Sequence, residues 1–168
     1  MRLLTQILLF SFISLMSSPS IAHLSTQAEI LQQVRERGVN AVVAELGESR
    51  KRDEIAYNIT TGESQWLRVA FTLSPNMHSE FSKQLLCSLS FALINNPVEV
   101  LSLSKKYNSF SSDQICDIPP TLKGLDERTS FIEKLSNSLN AARKSNSGKN
   151  NENIENCLWR LWRLAQTL

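Results

Sequence analysis

Apolar residues in this chain recur at helical, not strand-like, spacing, most clearly between Gly62 and Leu103. After Gly62-Glu63-Ser64-Gln65, Trp66, Val69, Ala70 and Leu73 fall at i, i+3, i+4 and i+7, which is one face of a helix. Ser74-Pro75-Asn76 ends it, because proline has no amide hydrogen to donate and restricts the residue before it. A second helix is predicted from about Met77 to Asn95. A third opens at Asn96-Pro97-Val98-Glu99, with an N-cap side chain, proline at the first position and glutamate at the third. It carries Val98, Val100, Leu101 and Leu103 to about Lys105.

The middle helix is apolar on two flanks. Leu85, Leu86, Leu89 and Leu93 lie on one, with Phe81 and Ala92 adjoining, and Cys87, Phe91 and Ile94 on the other. Such a helix must be covered on both sides. Between the flanks stand Lys83, Gln84 and three serines, Ser82, Ser88 and Ser90, whose hydroxyls can bond a carbonyl one turn back. The segment 77–95 is therefore expected at the centre of the fold.

Shorter helices are predicted around it. Ser25 or Thr26 caps one with Ile30, Leu31 and Val34 to about Arg37, and Gly38 interrupts it. Val39, Val42, Val43 and Leu46 form the next, closed by Gly47. Ser49 caps another with Ile55, Ala56 and Ile59, closed at Gly62. Arg50, Lys51 and Arg52 would sit in its first turn, where positive charge opposes the helix dipole. Either that helix starts later, at Asp53, with the triplet a solvated turn, or the triplet is kept for an anionic partner.

Asn108 to Leu125, rich in Ser, Asp, Pro and Gly, reads as loop. Asp126 caps a helix carrying Phe131, Ile132, Leu135, Leu139 and Ala142 and ending in Arg143-Lys144. A polar connection, Lys144 to Asn153, leads to a last helix from about Glu152. Its inner side takes Ile154, Cys157, Leu158, Leu161, Trp162, Leu164 and Ala165. Trp159 falls opposite, beside Arg160 and Arg163: an indole among guanidinium groups, suited to anchoring a partner or to a cation–π contact. No useful strand-like alternation occurs. The expectation is an all-α single domain of seven or eight short helices packed around 77–95, an α-solenoid-like stack of helix pairs being the alternative arrangement.

The beginning of the chain adds a destination. Arg2, the apolar run Ile7 to Met16 and the small residues of Ser20-Ile21-Ala22 make residues 1–22 a signal peptide, with the cut expected after Ala22. The run is too short to span a bilayer comfortably. Of 168 residues, 146 (168 minus 22) remain as a single domain, 23–168, exported to the periplasm or secreted. Neither a lipid-anchor cysteine at the cut nor a later membrane span is present.

Export makes the three cysteines candidates for oxidation. Cys87 lies in the apolar helix, where a reduced thiol behaves as a small hydrophobe. The expected disulfide is Cys116–Cys157, holding the long loop against the last helix, with Cys87–Cys116 as runner-up.

Charge and motifs narrow the chemistry. Without Arg2, 17 basic residues (18 minus 1) face 16 acidic ones, a balance that does not suit a nucleic-acid surface. The two histidines are His23 and His78; cleavage before His23 would free an amine and imidazole able to chelate Cu(II), with His78 a third nitrogen. No other metal or cofactor is implied. Nucleophile elbow, phosphate-binding glycine loop, zinc spacing and EF-hand loop are all missing. Glu45, Glu48, Asp53, Glu54, Glu63 and Glu80 supply carboxylates for an acid pair, but at positions where solvent-facing acids are ordinary. Asn58-Ile59-Thr60 is a glycosylation acceptor where the host uses such sites.

The order Gly62…Trp66-Leu67-Arg68-Val69-Ala70, Ala92-Leu93…Asn96-Pro97-Val98-Glu99-Val100-Leu101 and Ile115-Cys116 resembles small exported bacterial all-helical proteins without assigned activity. In size, export and helicity the chain also resembles periplasmic immunity proteins. These likenesses imply a helical fold and carry no functional residue with them. The expected function is non-catalytic binding of another protein, as an immunity protein, inhibitor or secretion helper. Trp159, Arg160 and Arg163 are its candidate anchors, and Arg50, Lys51 and Arg52 a second candidate surface. The alternative is a small cell-wall or sugar hydrolase working through a carboxylate pair.

Overall fold

The computed structural model describes residues 26–47, 49–145 and 151–168, so the expected signal peptide, the cut after Ala22, His23 and Glu48 lie outside the described residues. Among them run nine helices and no strand: α1 (Gln27–Arg37), α2 (Val39–Glu45), α3 (Ser49–Thr60), α4 (Ser64–Leu73), α5 (Ser79–Asn95), α6 (Pro97–Tyr107), α7 (Ser112–Ile115), α8 (Leu125–Ser145) and α9 (Asn151–Ala165). None is long and apolar enough to cross a membrane.

Local chemistry sets most of the boundaries. Thr26 caps α1 in a reciprocal box: Glu29 N–H donates to its hydroxyl at 3.3 Å, and its own N–H donates to the Glu29 carboxylate at 3.0 Å. Asn96 caps α6, accepting from Glu99 N–H at 3.4 Å, with Pro97 at the first helical position. Asn108, in the left-handed conformation at φ 51°, ends that helix two residues later than the pattern suggests.

As expected of a doubly apolar helix, α5 is the hub, packing against α3, α4, α6, α7 and α8. Leu85, Leu89 and Leu93 are fully buried, while Leu86, Phe91 and Ile94 pack against the core from its edge. Phe91 meets Phe131 of α8 edge to face, with ring centroids 5.7 Å apart. Ser90 donates to Leu86 O at 3.2 Å, the turn-back bond that lets a serine sit inside an apolar helix.

Gly62 joins four helices. Its φ of +76° turns the chain from α3 into α4. A Cβ there would lie 3.0 Å from Asn95 Cβ and 3.1 Å from Asn96 Cβ, so the α5–α6 junction presses directly on it. The two asparagines lock the contact: Asn95 Nδ2 donates to Thr60 O and Asn96 Nδ2 to Gly62 O, both at 2.9 Å. Ser64 donates to the Glu99 carboxylate across the same seam.

Several expectations need correcting. The central helix begins at Ser79, not Met77, because Asn76 Oδ1 accepts His78 N–H at 2.9 Å in a turn that leaves Met77 85% exposed. The expected loop 108–125 contains α7, capped by a Ser111–Gln114 box. Helix α3 starts at Ser49, so the basic triplet does occupy its first turn. Helix α8 starts at Leu125, and Glu127 rather than Asp126 accepts the amides of Lys123 and Gly124, each at 3.1 Å.

Candidate functional site

Helix α9 is held by a narrow apolar seam, with Ile154, Cys157 and Leu161 buried. Cys157 is bonded to Cys116, the residue that ends α7, with Cα atoms 5.4 Å apart. One residue beyond Cys116, Asp117 accepts from Arg160 at 2.6 Å, so a covalent and an ionic tie fasten the same segment to the same helix face. Cys87 remains a half-buried free thiol, its Sγ 3.6 Å from Thr121 Oγ1.

The face of α9 away from that seam is aromatic. Trp159 is 56% exposed, and Trp162 is 54% exposed, which corrects its expected place on the inner side. The two rings stack on each other, with centroids 4.8 Å apart and planes 15° from parallel. Residues at i and i+3 share a helix face, and that spacing is the signal that places both indoles together. Arg163 completes the group, its guanidinium carbon 5.8 Å from the Trp159 centroid. Of the three expected anchors, Trp159 and Arg163 are thus brought together with Trp162, while Arg160 turns to Asp117.

The basic triplet stands on α3, which does not contact α9. Arg52 donates to Val43 O at 3.0 Å and lies 5.5 Å from the Phe81 centroid, so its charge is used within the fold. Lys51 is half-buried and Arg50 exposed.

Cavities are lined by described residues in at least three places. One of about 370 Å³ runs between α5 and the segment after α7, lined by Leu86, Cys87, Ile118 and Pro119, with Lys83 and Asp117 as its charged residues. A second of about 320 Å³ lies between α5 and α8, around Phe91 and Phe131, with Glu127 as its single carboxylate. The third, of about 440 Å³, lies between α1 and α4 and has arginines but no carboxylate. None of these three brings two acids together. Of the carboxylates singled out in the sequence, Glu45 pairs with Arg37, Asp53 accepts from Gln84 at 2.6 Å and Glu80 pairs with Lys83 at 2.9 Å. His78 is exposed at the N-cap of α5, and among the described residues no three His, Cys, Asp or Glu side chains converge as a metal set.

No protein-family model, no curated protein and no solved structure matches the chain.

Proposed function

We propose that this chain is an exported, non-catalytic helical module that binds another protein, in the manner of an immunity protein, inhibitor or secretion helper, through the Trp159–Trp162–Arg163 face of α9. The observation that carries the reading is the pair of indoles, each more than half exposed and stacked on the other. Leaving two tryptophans in water costs hydrophobic free energy that burial would recover, and mutual stacking recovers only a part of it. Tryptophan and arginine are also the side chains that most often dominate binding energy at protein interfaces. The stack limits the rotamers of both rings, so little further entropy is lost on docking. The disulfide and the Arg160–Asp117 pair fix the helix that displays them.

The test is affinity capture from the native organism's envelope, comparing wild type with the W159A/W162A variant. The expected outcome is a protein retained by the wild type and lost by the variant, with far-UV circular dichroism unchanged. Identical retention by both, with the fold intact, removes this face from the reading.

A further inference from the structure

On helices that α9 does not touch, α1 and α4 pack together and leave the cavity of about 440 Å³ lined by Gln27, Ala28, Leu31, Arg35, Gln65 and Arg68. Its charge is one-sided. Arg35 and Arg68 both line it, no acidic residue does, and among the described residues neither guanidinium has a hydrogen-bond or ion-pair partner. Five of the other described arginines are engaged, while Arg50 and Arg128 lie away from this groove. Arg37 pairs with Glu45, Arg52 with Val43 O, Arg143 with Glu155 and Arg160 with Asp117, and Arg163 lies over Trp159. What sets Arg35 and Arg68 apart is that they share one groove with no acid in its lining, in a chain whose formal net charge is only +2.

We infer that this groove binds an acidic segment of a partner protein. Each planar guanidinium can take a carboxylate through two parallel N–H donors. The amides of Gln27 and Gln65 offer both a donor and an acceptor, which matches a peptide backbone, and Leu31 and Ala28 give an apolar floor for the methylenes of a glutamate. From Gln27 to Arg35 is eight residues of helix, about 12 Å, a span that fits several residues of an extended chain better than one small anion. The inference goes beyond the α9 reading and stands without it, because the two surfaces share no helix contact.

The experiment uses the exported, disulfide-intact protein with its arginine side chains labelled for NMR, titrated with a hexaglutamate peptide, with hexaglutamine and with inorganic phosphate. Hexaglutamate should shift the Nε–Hε signals of Arg35 and Arg68 saturably. It should leave Arg50 and Arg128, which also have no partner among the described residues but lie outside the groove, nearly unmoved, and hexaglutamine should move none of them. The R35Q/R68Q variant should bind hexaglutamate at least about tenfold more weakly. Equal shifts at all four arginines mean diffuse attraction and overturn the proposal. So does phosphate binding as tightly as the peptide, which would make the groove a small-anion site.

Discussion

At Gly62, absence of a side chain is a structural requirement with two separate origins. Its φ of +76° disfavours any residue with a Cβ, and Asn95 and Asn96 fill the space a Cβ would need. The left-handed conformation alone costs an L-residue about 1–2 kcal/mol. Gly47 separates the two effects, because it also has a positive φ, +63°, but a Cβ built there meets only Glu45 O at an ordinary 3.7 Å. G62A should therefore destabilise the protein by about 2 kcal/mol or more, and G47A by about half of that or less, since alanine also restricts the unfolded chain. Urea unfolding of the two variants checks this, with a lower midpoint and unchanged slope expected for G62A. Equal losses would mean that the α5–α6 junction yields to an added methyl. Only one of these origins is legible in the sequence. A glycine closing a helical pattern reads as a C-terminal signal, whereas contact with residues 33 and 34 positions later has no local trace.

Among the elements, what the sequence reveals depends on how strongly packing and periodicity agree. Helices α4, α5 and α6 are legible because apolar positions repeat over at least two turns and their ends carry proline or a capping side chain. Helix α7 is not, since four residues cannot establish a period; only its Ser111…Gln114 capping pattern signals it. Helix α9 lies between these cases. Its buried seam of Ile154, Cys157 and Leu161 follows the i, i+3, i+4 rule, but Trp162 lies one residue, or about 100°, beyond Leu161 and escapes burial. Hydrophobic character draws that indole inward in a sequence reading, and geometry overrides it. The consequence is measurable by fluorescence. Trp66 is buried and Trp159 and Trp162 are exposed, so acrylamide should quench most of the wild-type emission. In W159F/W162F the remaining emission should shift to the blue and resist the quencher. A remaining signal as quenchable as the wild type would contradict the burial of Trp66 or the exposure of the pair.

For the molecule as a whole, the decisive long-range tie is Cys116–Cys157, which spans 41 positions and joins the end of α7 to α9. Its pairing is legible because the third cysteine, Cys87, belongs to the central apolar helix and because a long segment without regular helices needs an anchor. The Arg160–Asp117 bond beside it is not legible, since its partners lie 43 positions apart and no local pattern pairs them. In the chain-entropy description, closing a loop of this length in the unfolded state stabilises the fold by roughly 4 kcal/mol. That is a large share of the 5–15 kcal/mol typical of a small domain, so reduction should lower the urea midpoint sharply without requiring a change in native secondary structure. The effect should also be local in the native state. Helix α9 packs on α6, α7 and α8, whereas α1 to α4 reach the core without it. Amide exchange in the C116S/C157S variant should accordingly quicken first in α7 and α9, while α4 and α5 keep exchanging only through global unfolding. Uniform acceleration across all helices would show the disulfide acting on the unfolded chain alone, and no loss of midpoint would mean that α9 is held by its apolar seam. The same measurement bears on binding, because a Trp159–Trp162 face carried on a loosened α9 would have to be ordered again when a partner docks.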